Sequence, residues 1–510
     1  MKLPILVIAI ALIQFNTFGQ LPVSGSRSYS FTSMEEECTI GVANGTATSD
    51  QRPLLWKTRD YSSAPNNEVK YNTSNPIKFI SVSNAGTSTY PWMGVNEHGF
   101  AILNSVASDL TAGTSGPGNG DVMKYALGNC RTVAEFQDYL DATNISGRST
   151  KTNFAVIDTT GVAAIFETAG NDYWKYDAAN SLNGYVVRTN FALNGGGTGG
   201  IERYDRTRVL INNFYSGDSL NYKSILRHQM RDFSDFDSEP VSVPYPHNWI
   251  PERPYGYIYC NVSICRPSSV SAAVFHGVLP TELAGYTTMW TILGQPASSI
   301  AVPYWPVGNT PAEADGPVTS PLCDKSLEIR GKLFDYYENT NYIDSYKLLD
   351  GLGGGLWTCT FPFEDAIFTD VNLFMDTIRT KSPLPVASLL SKESEIATSV
   401  LSKLRDCYYW QFVGIGENEP DNVIDVYPNP FGNEMNISYM LTERSFVIID
   451  IFSITGRKIE TVFNGYQNAG DYSYRISSGN SNYPNGLYLL NIRMNGKSQT
   501  FKMIKINGKD

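Results

Sequence analysis

A cysteine stands where the character of the chain changes. Residues 20–37 are polar and serine-rich and end in three glutamates, whereas Cys38 opens an apolar segment. The thiolate is the nucleophilic form of cysteine, and a free thiol with a pKa of about 8.5 needs a base or a positive charge to reach that form. Cys38 is therefore a candidate nucleophile that requires a base nearby.

Two kinds of base are open to this cysteine. The four histidines, His98, His228, His247 and His276, lie in no recognisable protease context. The α-amino group of Cys38 itself has an ordinary pKa of about 7.7–8.0, which suits a general base. That solution requires Cys38 to be the first residue of the mature chain, and removal of a polar leader would meet the requirement. A Cys–His pair and a disulfide role for Cys38 are the alternatives.

The N-terminal residues are typical of a secretory signal peptide. Lys2 supplies a positive charge, and Ile5–Ile13 is an apolar run too short to span a bilayer. We predict a signal peptide over residues 1–19 and a leader over residues 20–37. No other stretch predicts a membrane span, so we expect an exported protein without a stable membrane anchor.

Composition and cysteine spacing argue against several other functions. The net charge is -11, and no Lys/Arg cluster with interleaved aromatics offers a footprint for nucleic acid. No Cys/His spacing resembles a zinc site, and we predict neither a metal nor a cofactor. The cysteines number seven, which leaves at least one thiol without a partner in the chain. Cys260 and Cys265 are close enough to bridge across a turn.

Hydrophobic patterning predicts strands on either side of the candidate nucleophile. Thr39–Ala43 and Pro53–Thr58 predict a hairpin, with Asn44-Gly45 as a turn signal between them. Further antiparallel strands are expected as far as about residue 305, including the stretch 260–278. Together with a few helices, this pattern indicates an α+β fold.

Helices are expected at several places. Thr132 followed by Glu135 is a capping-box arrangement, and Glu202–Phe214 has helical character. The chain is more helical from Pro321 to Leu404. A polar linker over residues 414–422 then precedes short strands that predict a small β-sandwich.

Five motifs follow one another in the first half of the chain. They are Cys38-Thr39 with Trp56–Asp60, Gly94–Asn104, Asn153–Glu167, Arg188-Thr189-Asn190, and Glu202–Arg206. In this order they resemble the N-terminal-nucleophile (Ntn) hydrolases of the choloylglycine hydrolase and acyl-CoA:isopenicillin-N acyltransferase group. The resemblance implies a four-layer αββα fold over residues 38–413, with a helical C-terminal extension. It also implies hydrolysis of a small linear amide through an acyl-enzyme on Cys38.

The same resemblance assigns the other site residues. Asp60 would orient the amine or thiol, Asn190 would donate to the oxyanion, and Asn104 would assist near the oxyanion or substrate. Arg206, with Arg203 as the competing choice, would lower the pKa of the thiol or stabilise the site electrostatically.

One position departs from the family's pattern. Lys57 stands where the family often has arginine, at a position that the resemblance assigns to substrate binding. Lysine keeps the positive charge but lacks the planar, bidentate fork of a guanidinium group.

The C-terminal strands carry their own motifs. Val426–Phe431, Thr455-Gly456-Arg457, Gly486-Leu487-Tyr488 and Lys502–Lys505 resemble the C-terminal sorting domain of type IX secretion cargo. This resemblance implies that residues 423–510 engage the type IX secretion machinery and that the protein is secreted or displayed at the cell surface. An ordinary immunoglobulin-like accessory domain is the alternative.

Hydrolysis is the first expectation for the reaction, because an exported enzyme meets water but no supply of acyl-CoA. An acyltransferase, and a catalytically inactive scaffold that serves in binding or adhesion, are the alternatives. The sequence names neither the acyl group nor the amine of the substrate.

Overall fold

The computed structural model describes residues 37–87, 90–234, 240–247, 255–336, 339–351, 354–408, 424–454, 457–477, 483–494 and 497–506. The predicted signal peptide, the leader up to residue 36 and the linker over residues 414–422 lie outside the described residues. Glu37, the last residue of the predicted leader, is described and begins the first strand.

The described chain mixes strands and helices, as the sequence predicted. The strands are β1 (Glu37–Ala43), β2 (Leu54–Asp60), β3 (Asn67–Asn72), β4 (Phe79–Asn84), β5 (Met93–Asn96), β6 (Ala101–Val106), β7 (Thr152–Ile157), β8 (Ala163–Thr168), β9 (Tyr173–Asp177), β10 (Tyr185–Arg188), β11 (Tyr257–Tyr259), β12 (Ser269–His276), β13 (Thr288–Leu293), β14 (Val302–Tyr304), β15 (Tyr342–Asp344), β16 (Ile424–Tyr427), β17 (Glu434–Leu441), β18 (Ser445–Ser453), β19 (Lys458–Gln467), β20 (Gly470–Ser477), β21 (Gly486–Met494) and β22 (Lys497–Lys505). The α-helices are α1 (Asn119–Asn129), α2 (Val133–Ser146), α3 (Ile201–Ser216), α4 (Tyr222–Ser224), α5 (Pro321–Leu333), α6 (Ser345–Leu348), α7 (Leu356–Ile378) and α8 (Val386–Tyr408).

Two large antiparallel sheets and the two-stranded sheet of β11 and β15 make up the first part of the described chain. The six-stranded sheet has the order β10-β1-β2-β12-β13-β14, and the seven-stranded sheet runs from β3 to β9 in chain order. The predicted hairpin of β1 and β2 is confirmed, with Cys38 opposite Arg59 and Thr39 opposite Thr58. The strand that contains Cys38 is therefore fixed by hydrogen bonds on both sides, to β2 and to β10.

The seven-stranded sheet has two apolar faces. Phe100, Ile102 and Phe154 belong to a cluster that also holds Val122 of α1 and Phe136 of α2. The neighbouring residues on the same strands, such as Leu103 and Ala155, belong to a larger apolar cluster that includes residues of the six-stranded sheet. Because neighbouring side chains on a strand point to opposite faces, one face packs on helices and the other on the second sheet.

The predicted helical region after Pro321 packs into the same core. Buried residues of α5, α7 and α8 belong to the cluster that contains β1 and β2. In α7, Glu364 forms a buried ion pair with Arg231 at 2.8 Å, and in α8, Glu393 accepts a hydrogen bond from the Trp305 backbone at 2.7 Å. A Cys359–Cys407 disulfide joins the two helices. Such buried polar contacts tie the helical extension to the sheet.

The stretch 260–278 departs from the prediction. Only Ser269–His276 forms a strand, because Ser263 closes a turn by donating to the backbone carbonyls of Cys260 and Cys265. These two cysteines are free thiols and are not bridged to each other. Of the predicted capping box at α2, the N-cap bond is present, with the Thr132 hydroxyl accepting from the backbone of Glu135, whereas the Glu135 carboxylate accepts from the backbone of Arg131.

The C-terminal strands form two sheets of their own, which fits the predicted small β domain. One sheet has the order β16-β17-β20 and the other β19-β18-β21-β22. Their inward residues share one apolar cluster that includes Ile437, Val447, Ile449 and Leu490. Among the described helices, none combines the length and apolar character that crossing a membrane requires.

Candidate active site around Cys38

Strand pairing brings Asp60 beside the candidate nucleophile. In the β1–β2 register, Glu37 lies opposite Asp60 and Cys38 lies opposite Arg59. Directly opposite residues of an antiparallel pair point to the same face, so Asp60 shares a face with Glu37 and Cys38 shares the other with Arg59. Cys38 is fully buried.

Asn190 contacts the backbone nitrogen of Cys38. Its Oδ1 accepts a hydrogen bond from that nitrogen at 2.9 Å, and its Nδ2 donates to the Val106 carbonyl at 3.0 Å. Asn190 follows β10, whose Arg188 lies opposite Ile40. The side-chain oxygen, rather than the amide NH₂ group, therefore faces Cys38, which suits Asn190 to hold an amine.

Arg203, in the first turn of α3, contacts the same strand. Its guanidinium group donates to the Cys38 carbonyl at 2.6 Å, the Thr39 hydroxyl at 3.1 Å and Asn190 Oδ1 at 2.9 Å. Gly200 precedes the helix with φ +70°, and a Cβ there would collide with this guanidinium group. Burial, together with the nearby Arg266, lowers the pKa of Arg203.

Arg206 lies about one turn further along α3 and contacts a different partner. It forms a bidentate pair with Asp232, with Nε–Oδ1 at 2.9 Å and an NH₂–Oδ2 distance of 2.7 Å. Of the two arginines that the sequence left in competition, Arg203 is the one whose contacts shown by the structure reach Cys38.

Asp60 is buried beside two arginines and one hydroxyl. Ser269 donates to its Oδ1 at 2.6 Å, and Arg266 lies 3.9 Å from its Oδ2. That Oδ2 accepts no hydrogen bond from the part of the chain that the structure describes. Burial raises the pKa of Asp60 to about 6, against the lowering effect of Arg266 and Arg203.

The raised pKa of Asp60 predicts a pH-dependent stability. The folded-state pKa of about 6 exceeds the ordinary value of about 3.9, so the contribution of Asp60 to stability is present below about pH 4 and lost as the pH rises through 6. Asn cannot titrate. In the full-length chain, the melting temperature of Asp60→Asn relative to the parent should therefore rise by a few °C between about pH 4 and pH 7, since two pKa units correspond to about 3 kcal/mol. A difference that stays constant over this range would contradict the assignment.

Lys57 and Asn104 connect the two sheets. Lys57 Nζ donates to Asn104 Oδ1 at 2.8 Å and to the Trp92 carbonyl at 3.2 Å. Asn104 Nδ2 is buried and has no hydrogen-bond partner among the described residues. Because Lys57 fixes the oxygen of this amide, its NH₂ group is left as a donor for an anion.

Glu37 and Arg266 complete the charged cluster. Arg203 lies 3.0 Å from Glu37 Oε2, and Arg266 pairs with the same oxygen. Burial alone would raise the pKa of Glu37, but the guanidinium groups of Arg266 and Arg203 hold it below its ordinary value. The sequence analysis missed Arg266 and Ser269, although Arg266-Pro267 immediately before a strand of small residues is a signal that could have drawn attention to them.

The other cysteines and histidines are poorer candidates for a nucleophile or a base at this site. Burial raises the pKa of Cys265 and Cys323 to about 12, which keeps both thiols protonated. His276 pairs with Asp50, and it lies opposite Leu54 of β2, about 17 Å along the strand from the residue opposite Cys38. Within the described ranges, no group of three or more His, Cys, Asp and Glu side chains could hold a metal ion.

Two family models match the chain. Residues 46–239 match the family described as acyl-coenzyme A:6-aminopenicillanic acid acyl-transferase, an Ntn family. The match begins after Cys38. Residues 425–507 match the secretion system C-terminal sorting domain. These matches confirm both resemblances drawn from the motifs, and the sorting domain marks a secreted or cell-surface protein.

Several solved structures resemble the chain at low identity. A conjugated bile acid hydrolase from Clostridium perfringens is 12% identical over 50% of this chain and 89% of that chain, with a TM-score of 0.31. Penicillin V acylase from Agrobacterium tumefaciens is 14% identical over 52% and 85%, with a TM-score of 0.29. Dimeric latent PorU from Porphyromonas gingivalis is 17% identical over 18% and 10%, with a TM-score of 0.15. No curated protein matches the chain.

Proposed function

We propose that this chain, which carries an Ntn acyltransferase-family region over residues 46–239 and a sorting domain over residues 425–507, is an exported hydrolase of linear amides. Cys38 is the nucleophile, and its own α-amino group is the base after the leader is removed. The observation that supports this most strongly is that Asn190 and Arg203 both hydrogen-bond to the backbone of Cys38, while Asp60 lies opposite the adjacent Glu37 on the paired strand.

These contacts suit the positions that a terminal amine would need. Asn190 Oδ1 already accepts a hydrogen bond from the Cys38 nitrogen. After cleavage the same oxygen can accept from the free amine, and the Asp60 carboxylate can stabilise its protonated form. Arg203 supplies positive charge at the Cys38 carbonyl, close enough to favour the thiolate of the same residue electrostatically.

The reaction proceeds in two steps. The thiol proton passes to the α-amino group, the sulfur attacks the amide carbonyl carbon, and the ammonium group returns the proton to the leaving nitrogen as the C–N bond breaks. Water then attacks the thioester, releases the carboxylic acid and restores the thiol. The same amine accepts the proton of the attacking water.

Asn104 is proposed as the oxyanion donor. Its unpartnered, buried NH₂ group is oriented by Lys57, and preorganised donors act on the charge that develops on the carbonyl oxygen. Lys57 is therefore a positioning residue in this proposal, in addition to the substrate-binding role that the family resemblance implies.

We expect Asn104→Leu to lower kcat/KM on the order of 10²-fold, with most of the loss in kcat. Asn96→Leu is a matched control, because Asn96 donates to the backbone carbonyls of Leu127 and Cys130 under α1. The control should lose stability yet keep kcat/KM of the folded enzyme within about two-fold of the parent. Equal losses of kcat/KM in the two variants would remove Asn104 from the site.

The four-layer fold of the catalytic domain and the domain boundaries are part of the same proposal. Helices α1 and α2 on one sheet, and α5, α7 and α8 packed with the other, support a four-layer αββα domain. We place this catalytic domain at residues 38–413, a linker at 414–422 and the sorting domain at 423–510, with residues 20–37 as a leader that is removed.

N-terminal sequencing and activity assays of the exported protein test the proposed function. N-terminal sequencing should find a chain that begins at Cys38, and this form should hydrolyse members of a panel of small N-acyl amides. Adding a free amine distinguishes transfer from hydrolysis, since an acyltransferase would yield the new amide in place of the acid. Export of an inactive chain that begins upstream of Cys38 would instead support a binding protein.

A further inference from the structure

Two arginines beside Cys38 hold the carboxylate of a residue that departs on processing. Arg203 and Arg266 both pair with Glu37 Oε2. They are 1% and 8% exposed, whereas the Glu37 side chain remains 40% exposed. Under the proposed function, cleavage before Cys38 removes Glu37 and leaves both arginines in place.

Removal of Glu37 changes the balance of charges around the start of β1. Before cleavage, two guanidinium groups face the carboxylates of Glu37 and Asp60. After cleavage, Asp60 is the one carboxylate left of that pair. A buried charge without a partner is costly, and the guanidinium fork matches a carboxylate in geometry. The processed site therefore favours an anionic group where the side chain of Glu37 lay.

We infer that Arg203 and Arg266 form a carboxylate-binding subsite, which Glu37 fills before processing and the acyl group of the substrate fills afterwards. This inference rests on the proposed function and on cleavage of the Glu37–Cys38 bond by Cys38 itself, because Glu37 is then the acyl group of the first bond that this cysteine cleaves. In glutamate, three carbons separate the backbone carbonyl carbon from the side-chain carboxylate carbon. The substrate class is therefore linear amides whose acyl group carries a carboxylate at this distance, as in glutaryl amides.

A binding experiment tests the subsite without catalysis. Glutarate should raise the melting temperature of full-length Cys38→Ala/Glu37→Gly by about 2 °C or more at saturation, and should leave full-length Cys38→Ala unchanged because Glu37 fills the site. Neutral glutaramide should stabilise neither protein. Glu37→Ala replaces Glu37→Gly if the latter does not fold. Equal effects of glutarate on the filled and emptied sites, or none on either, would overturn the inference.

A kinetic experiment tests whether the subsite recognises a carboxylate on the acyl group of the substrate. The processed enzyme should cleave glutaryl-p-nitroanilide with a kcat/KM at least about 30-fold above that of the corresponding neutral carboxamide, since charge-assisted hydrogen bonds are the stronger kind. Arg266→Gln should abolish this ratio and Arg266→Lys should restore part of it. Equal cleavage of both substrates overturns the inference while the proposed function stands. If the enzyme cleaves no amide, the proposed function fails and the glutarate experiment decides the subsite alone.

Discussion

Replacing Cys38 with alanine is expected to reduce amide hydrolysis by a factor on the order of 10⁴ or more, to the background rate. In the proposed mechanism the thioester forms on the Cys38 sulfur, and the neighbouring Asp60, Asn190 and Arg203 carry no thiol that could replace it. Cys38 is fully buried, so loss of its sulfur should lower stability slightly, but β1 remains paired on both sides and the fold should be retained. Hydrolysis of the best substrate in the panel by purified protein is the measurement.

Cys130→Ala is the matched control for that variant. Cys130 is also a buried cysteine, but it lies at the end of α1 in the apolar cluster beneath the helices. It should retain activity within about two-fold of the parent, since burial raises its pKa to about 12. Activity retained by Cys38→Ala would remove Cys38 as the nucleophile.

The state of the leader in the Cys38→Ala protein answers a further question. If Cys38 itself cleaves the bond after Glu37, the variant should retain Glu37, because the attacking sulfur is gone. A variant that still begins at residue 38 would assign this cleavage to another protease. Mass spectrometry of the N-terminal peptide distinguishes the two results.

Arg203→Met should lower kcat/KM on the order of 10³-fold. Arg203 donates to the Cys38 carbonyl and to Asn190 Oδ1, and each charge-assisted hydrogen bond contributes about 1.5–3 kcal/mol. A factor of ten in rate corresponds to about 1.4 kcal/mol, so loss of these contacts is sufficient for this effect. The loss should be accompanied by a rise in the apparent pKa of the thiol, measured from the pH dependence of alkylation.

Arg206→Met tests whether the neighbouring arginine acts in the same way. Arg206 pairs with Asp232 through two hydrogen bonds, so its loss leaves a carboxylate without that partner and lowers stability. We expect a lower melting temperature with kcat/KM of the folded enzyme within about ten-fold of the parent. A larger catalytic loss in Arg206→Met than in Arg203→Met would return the role to the residue that the family resemblance first indicated.

Local patterns in the sequence were sufficient to predict the strands around Cys38. The turn signal Asn44-Gly45 and the apolar runs on either side predicted the hairpin that places Cys38 near Asp60. The helical character of Glu202–Phe214 and of the stretch after Pro321 likewise predicted α3 and the later helices. The region 260–268 was less predictable, because Ser263 closes a turn through hydrogen bonds that no periodicity reveals.

Motifs in a fixed order predicted several residues of the candidate site. They did not predict which of two nearby arginines contacts Cys38, because that depends on how the helix packs. Arg203 and Arg206 are both basic and buried, and only the orientation of α3 decides which of them contacts Cys38. Arg266 reaches the site from a position 206 residues after Asp60, through the pairing of β2 with β12. The ion pairs of Glu37 with Arg203 and Arg266 were not predicted, because Glu37 belongs to the segment expected to be removed.

Trapping the covalent intermediate tests the nucleophile and the free amine together. Exported enzyme mixed with a slowly hydrolysed amide, quenched in acid and digested, should yield an N-terminal peptide that starts at Cys38 and carries the mass of the acyl group. An acyl group that migrates from sulfur to the adjacent amine stays on this peptide and gives the same mass. Turnover without any acyl group on Cys38, or an acyl group on a peptide that still contains Glu37, would contradict the proposed mechanism.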